Sequence, residues 1–307
     1  MFRRRLISFD WAMKKLLRSK ANFEILEGFL SELLKDNIHI IEILESESNK
    51  ENKRDKFNRV DLKVKNQKNE IIIIEVQYER EFDYLQRILF GTSKVIVEHI
   101  HESDAYSEIV KVISINILYF DLGQGEDYVY HGSTSFKGLH KHDLLALSEE
   151  QQELYKKDKI FQIFPEYYLI KVNNFDDIAK DTLDEWIYFL KNEEIKEEFK
   201  AKGLKKAKQE LDILKLPDHE RRAYERYQDD LHYQASMVES SYTIGVKKGV
   251  KRGIKQGIEQ GIKQGTIKGE NQKAIEIAKN LLDILDSKTI AAKTGLTEKE
   301  IETLRTK

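Results

Sequence analysis

The sequence contains no cysteine. That absence excludes a disulfide framework, thiolate-held zinc and a cysteine nucleophile, and it suits a reducing compartment. No apolar run approaches the roughly 18 to 20 residues that span a bilayer. The opening "MFRRRLISFDW" is basic, but no long apolar stretch or small-residue cleavage site follows it. The expectation is a soluble, cytoplasmic protein with no membrane partner. Charge of one sign is lacking too. The formal net charge is only −2, so any nucleic-acid binding must rest on local patches.

Several catalytic signatures are also missing. The chain has no GxxxxGK[ST] phosphate loop, no GxGxxG turn and no HExxH zinc helix, and no GxSxG elbow surrounds Ser133 or Ser135. His99 and His101 are two apart on a helix and do not face each other. His131, His140 and His142 sit in polar stretches. These histidines read as solvated or structural.

What is present is a chain of 307 residues, 40% hydrophobic and 35% charged. That is enough for one large core with appendages rich in exposed helix. Residues 10–36 carry apolar side chains at helical spacing, and the pattern predicts two helices broken near Ser19 to Asn22. A short strand is expected at 38–44, then a polar loop, "SESNKENKRDK". Strands are predicted at about 58–65 and 70–78, joined by "NQKN". A helix over about 80–101 and strands at 110–122, in "DYVYHGSTSF" and in "IFQIFPEYYLIKV" follow. Helical patterning then runs from "DDIAKDTLDEWIYFLKN" to about residue 243.

The stretch "IIIIEVQ", residues 71–77, places a carboxylate inside a strand apolar on both faces. A buried, unpaired charge costs several kcal/mol or neutralises itself, so Glu75 needs a partner, a proton or a cation. Alternation puts Glu75 and Gln77 on one face. A hairpin closed by three or five residues sets Asp61 opposite Glu75, with Cβ atoms about 5 Å apart; a slip of two residues sets Gln77 there instead, and either way two carboxylates and an amide converge. Two such carboxylates share a proton or bind a cation, and oxygen donors suit a hard ion such as Mg²⁺. The competing reading is a salt bridge from Glu75 to Lys63 or Lys65 on a half-exposed sheet.

Asp61, "IIIIEVQ", the preceding helices in "FDWAMKKLLRSKANFEILEGFLSELL", the following helix "YLQRILFGTSK" and "LDEWIYFLKN" together resemble the PD-(D/E)XK nuclease superfamily. Within that superfamily they look most like the branch of Rpn recombination-promoting nucleases, also called PD-(D/E)XK family transposases. The resemblance implies an α/β fold: a restriction-endonuclease-like core of αβββαβ type, with a central mixed sheet flanked by helices and an all-α C-terminal extension. It implies a DNA endonuclease, dependent on Mg²⁺ or on Mn²⁺ or Ca²⁺, that hydrolyses phosphodiesters in recombination or in mobile-element or phage-related DNA processing. By position, Asp61 and Glu75 take the metal-ligand roles, with the Val76 carbonyl as a third ligand. Gln77 falls where the superfamily often has lysine. It can orient water but carries no charge, so the cation is sought at Arg87, Lys94 or Lys63. Asp10 falls on an early acidic position of the branch; its local reading is an N-cap for the first helix. The alternative class is an inactive nuclease-like scaffold that binds DNA or protein.

From Gly245 to Gly269 a glycine recurs at every fourth position, seven in all, with seven Lys or Arg against one Glu. Val246, Val250, Ile254, Ile258 and Ile262 keep the same period. Each glycine costs a helix about 1 kcal/mol, whereas GxxxG spacing lets two helices approach closely. A flexible basic linker and a self-associating helix both remain open. Residues 272–305 resemble a helix-turn-helix with a Thr297 to Glu300 capping box. The expected divisions are a nuclease-like domain at 1–200, a helical connector at 201–243, the repeat at 244–270 and a helical module at 271–307. DNA is the expected partner, together with a second copy of the chain, as a homodimer or higher oligomer held through 244–307.

Overall fold

The computed structural model describes residues 6–44, 61–100 and 103–306. The predicted polar loop, the start of the strand expected from residue 58, and His101 lie outside them. The chain divides into two compact units, Met1–His232 and Tyr233–Lys307.

The first unit opens with α1 (Phe9–Lys15) and α2 (Phe23–Leu34), separated by a short 3₁₀ turn at Lys20–Asn22. The break falls where the sequence predicts it. On α2, Ile25, Leu26, Phe29, Leu30 and Leu33 form one buried stripe, the spacing of an amphipathic helix. Gly28 on that helix is obligatory: a Cβ there would lie 2.2 Å from the Lys202 carbonyl oxygen.

Six strands form one mixed sheet: β1 (Ile40–Leu44), β2 (Leu62–Asn66), β3 (Ile71–Gln77), β4 (Val112–Leu118), β5 (Val129–Gly132) and β6 (Glu166–Lys171). Their spatial order is β1-β2-β3-β4-β6-β5. β3 with β4 and β4 with β6 are parallel; the other pairs are antiparallel. Parallel neighbours require a crossover, and α3 (Tyr84–Glu98) supplies it between β3 and β4. The run α2-β1-β2-β3-α3-β4 is the αβββαβ order expected from the sequence.

The central strands are buried on both faces, which explains their unbroken apolar composition. One face joins the main core. There Ile72, Ile74 and Val76 share a cluster with Phe9, Phe29, Trp186 and Phe189, and Phe9 and Phe29 meet edge-on at 5.3 Å. On the other face Val95 of α3 covers Ile71, Ile73 and Val112. Each fully buried side chain of this kind contributes about 1.5–3 kcal/mol. After β5 come α4 (Glu149–Tyr155), β6, α5 (Thr182–Asn192) and α6 (Leu204–Glu210). Asp181 caps α5 by accepting the Asp184 N–H. The core does not stop at residue 200, because Leu204, Ala207, Leu211 and Tyr224 are buried in it.

The helix α7 spans Asp218–Leu281, so the glycine repeat is helical and not a loop. Nothing lies within 4 Å of a Cβ built at any of its seven glycines, and the Val/Ile row beside them is exposed. In the second unit α7 is followed by α8 (Ser287–Thr294) and α9 (Glu298–Arg305) around buried Ala278, Ile290, Leu296 and Ile301. Thr297 and Glu300 form the capping box that the sequence predicts. Among the described residues no helix is long and apolar enough to cross a membrane.

Candidate active site

The β2–β3 hairpin takes the first of the two registers that the sequence allows. Leu62 pairs with Ile74, Lys63 with Ile73 and Lys65 with Ile71. Asp61, one residue before β2, therefore stands at the position opposite Glu75. The backbone ladder ends there and a side chain continues it: Asp61 Oδ2 accepts the Val76 N–H at 2.8 Å. A strand residue aims its N–H and C=O at the same neighbour, so the Val76 carbonyl is directed to the Asp61 side. Arg18 Nη2 donates to the Asp61 carbonyl at 3.0 Å and fixes its backbone.

Glu75 is 8% exposed. Its compensating partner is Arg87 of α3, which bonds to Glu75 through Nη2 and to Glu81 Oε1 through Nη1 at 2.6 Å. The predicted alternative, a bridge from Lys63 or Lys65, is not what forms. Lys63 instead approaches Glu98 Oε2 at 3.4 Å. Gln77 Nε2 donates to Glu81 Oε1 at 3.0 Å and to the Glu79 carbonyl at 3.2 Å. Lys94 lies two turns beyond Arg87 on the same face of α3, about 10 Å along the axis; it is half-buried. Burial pushes the Glu75 carboxyl up to about 7; Arg87 opposes the rise, and the negative charges of Asp61 and Glu81 add to it.

Asp10 departs from its local sequence reading. Ser8 occupies the N-cap position of α1, and Asp10 is in the first turn with only 2% exposure. Lys14 Nζ lies 2.7 Å from its Oδ1, and the Tyr227 hydroxyl donates to its Oδ2. Burial raises its pKa to about 6, against the pull of Lys14. The same Lys14 Nζ is 3.5 Å from Asp61 Oδ1. Burial works to lower the Lys14 pKa, but Asp10 and Asp61 outweigh it and hold it above its ordinary value. Lys14 and Tyr227 were absent from the sequence reading. Lys14 was findable as the i+4 partner of Asp10; Tyr227, 217 residues away, carried no local signal.

The result is a patch where Asp10, Asp61, Glu75 and Glu81 meet Lys14 and Arg87. Among the described residues no cluster of three or more His, Asp or Glu makes a ready metal cage. Mg²⁺ does not need one: it binds through one or two carboxylates and keeps several waters. Two carboxylates and a backbone carbonyl at an undercompensated site fit that donor chemistry. The patch also lies toward the carboxyl end of β3, where open α/β sheets bind ligands. A concavity of about 880 Å³ opens at the other end of β3 and β4, lined by Asn69, Glu70, Lys111 and Tyr155 among others. It contains none of these acids. His131 bonds to Glu166 at 2.9 Å and stacks on Tyr168.

A mixed six-stranded sheet flanked by helices, with paired carboxylates where its central hairpin opens, defines a protein with the PD-(D/E)XK nuclease fold. Residues 7–241 match the family model of the PD-(D/E)XK nuclease family transposases, and the chain belongs to that family. No curated protein and no solved structure matches it. Membership supports a nuclease- or transposase-like function with DNA as partner, and nucleases of this kind generally use divalent metal ions.

Proposed function

We propose that the protein is a DNA endonuclease that hydrolyses phosphodiesters with a divalent ion, Mg²⁺ or alternatively Mn²⁺ or Ca²⁺, held by Asp61, Glu75 and the Val76 carbonyl. The observation that carries this reading is the Asp61 carboxylate held by the Val76 N–H at the end of the hairpin, beside a buried Glu75 whose charge is incompletely offset. When bound, the ion supplies Lewis-acid stabilisation of charge developing on the phosphate. The chain's own groups do the rest. Gln77 offers an amide to orient a water. Arg87, a planar donor suited to phosphate oxygens, exchanges part of its bond with Glu75 for the substrate. Lys14 holds Asp61 and adds positive charge. Cleavage of this type serves recombination or mobile-element processing.

The deciding experiment is nicking of supercoiled plasmid with Mg²⁺, Mn²⁺, Ca²⁺ or EDTA, by wild type and Asp61→Ala. Metal-dependent nicking lost in Asp61→Ala supports the reading; equal rates refute it. A second reading, an inactive scaffold that binds DNA or protein, has one observation behind it: Arg87 already neutralises part of the Glu75 charge. Absence of Mn²⁺ binding to the full chain would favour it.

The same proposal includes self-association through residues 244–307. A ridge of Val and Ile runs beside a groove of glycines along α7, both exposed. Rows of this i±4 kind pack into each other at about −50°. The pairing is self-complementary, and a C₂ pair is the default for such an interface. It would bring two single-strand cutting sites to one duplex.

A further inference from the structure

We propose that Tyr227, on the first turns of α7, is a positioning residue for Asp61, acting through Asp10 and Lys14. The inference rests on the reading of Asp61 as a ligand of a divalent ion. Asp10 lies among the buried apolar residues Phe9, Trp11, Ala12 and Met13 of α1. A carboxylate in such a wall must be paired. Its two partners are Lys14 and the Tyr227 hydroxyl. Tyr227 touches both ends of that pair, because Lys14 Nζ also lies over its ring, 5.8 Å from the centroid. Lys14 in turn stands 3.5 Å from Asp61 Oδ1, while Asp61 Oδ2 is held by the Val76 N–H. The Asp61 carboxylate is thus oriented at both oxygens, once by the strand and once by a chain of contacts that starts on α7.

A neighbouring tyrosine anchors the same helix through other contacts. Tyr224 is fully buried, its hydroxyl accepts the Ser8 N–H at 3.0 Å, and its ring meets Trp11 edge-on at 5.4 Å. Gln228 donates to the same hydroxyl at 2.9 Å. Tyr224 fastens α7 to α1. Tyr227, one turn on and half-buried, bonds to Asp10 through its hydroxyl. The nuclease centre is therefore completed by a helix that begins after the last strand and ends in the second unit.

The test is Mn²⁺ affinity by calorimetry, with melting temperatures, on the full chain. Loss of an outer-shell partner of a metal ligand weakens affinity about 10- to 100-fold. Tyr227→Phe is expected to weaken Mn²⁺ binding by about tenfold and to lower kcat for nicking with KM for DNA unchanged. Tyr224→Phe is expected to lower the melting temperature and leave Mn²⁺ affinity as in wild type. Asp10→Asn should weaken binding too, and the double variant Asp10→Asn/Tyr227→Phe should show less than the product of the two losses, as coupled residues do. Wild-type affinity in Tyr227→Phe overturns the proposal. So does an equal loss in Tyr224→Phe, which would make Tyr227 a tether only. Asp61→Ala is the control for the underlying reading: if it binds Mn²⁺ as wild type does, that reading falls and takes the proposal with it. If it loses Mn²⁺ while Tyr227→Phe does not, only the proposal falls.

Discussion

Asp61 and Val76 are joined side chain to backbone at 2.8 Å, at the point where the β2–β3 ladder stops pairing backbone to backbone. That bond holds a carboxylate at the mouth of the hairpin beside Glu75. Removing either acid is expected to abolish metal-dependent nicking, by at least about 100-fold given the role of metal as charge stabiliser. Glu75→Gln should also raise the melting temperature of the metal-free protein, since a buried charge disappears while the shape is kept. Wild-type nicking rates in both variants would place the chemistry elsewhere.

The Glu75 carboxyl has an ordinary pKa of 4.5 and is pushed up to about 7 in the fold, chiefly by burial. Between those values the folded state binds more proton than the unfolded one, so stability falls as pH rises through this window. The penalty above pH 7 is on the order of 3 kcal/mol. Metal-free protein should therefore melt higher at pH 6 than at pH 8. Mn²⁺, which needs the ionised carboxylate, should stabilise more at pH 8 than at pH 6. Thermal melts at the two pH values, with and without Mn²⁺, check both signs, and Glu75→Gln should flatten both dependences.

Arg87 bridges Glu75 and Glu81. Arg87→Ala leaves Glu75 buried without its cation. Breaking a buried pair from one side costs about 3–5 kcal/mol; with Arg87 one-third exposed, the lower part of that range is expected. Saturating Mn²⁺ should restore much of the lost stability, while KM for DNA rises. A denaturant titration with and without the ion reads the first effect. No difference between the two titrations would mean that the ion does not bind at Glu75.

Gln77→Lys should fold. The side chain is half-buried and already reaches Glu81, so an ammonium there gains a carboxylate partner. Nicking should change in rate and in its metal preference without being lost. A circular-dichroism spectrum of an unfolded chain would show that the position is more apolar than its contacts imply.

Replacing Gly253, Gly257 and Gly261 by leucine raises intrinsic helix propensity by about 1 kcal/mol at each site. Nothing in the chain itself stands in the way, because space around those positions is open. The triple variant should therefore remain helical but fill the groove and lose assembly. Light scattering on the full chain and the variant decides it; a monomeric wild type at micromolar concentration would remove the case for self-association.

Much of the site's frame was legible in one dimension. Four isoleucines before Glu75 identify a strand buried on both faces, because alternation leaves no exposed face for the charge. A turn of three or five residues allows Asp61 opposite Glu75, while a slip of two would bring Gln77 there; the observed register, Leu62 with Ile74, decides for Glu75. The capping box at Thr297 and the helix break at Ser19–Asn22 are likewise local, set by contacts within a few residues. What compensates Glu75 was not legible. Arg87 faces it only because α3 folds back over β3, and Lys63, equally near in sequence, turns to Glu98. Nor was the state of Asp10. A carboxylate at the start of a helical run reads locally as an N-cap, but the position is buried and Tyr227 of α7 bonds to it. Periodicity records which face of an element is apolar. It does not record which distant element will cover that face, and the partner of Asp10 comes from 217 residues away.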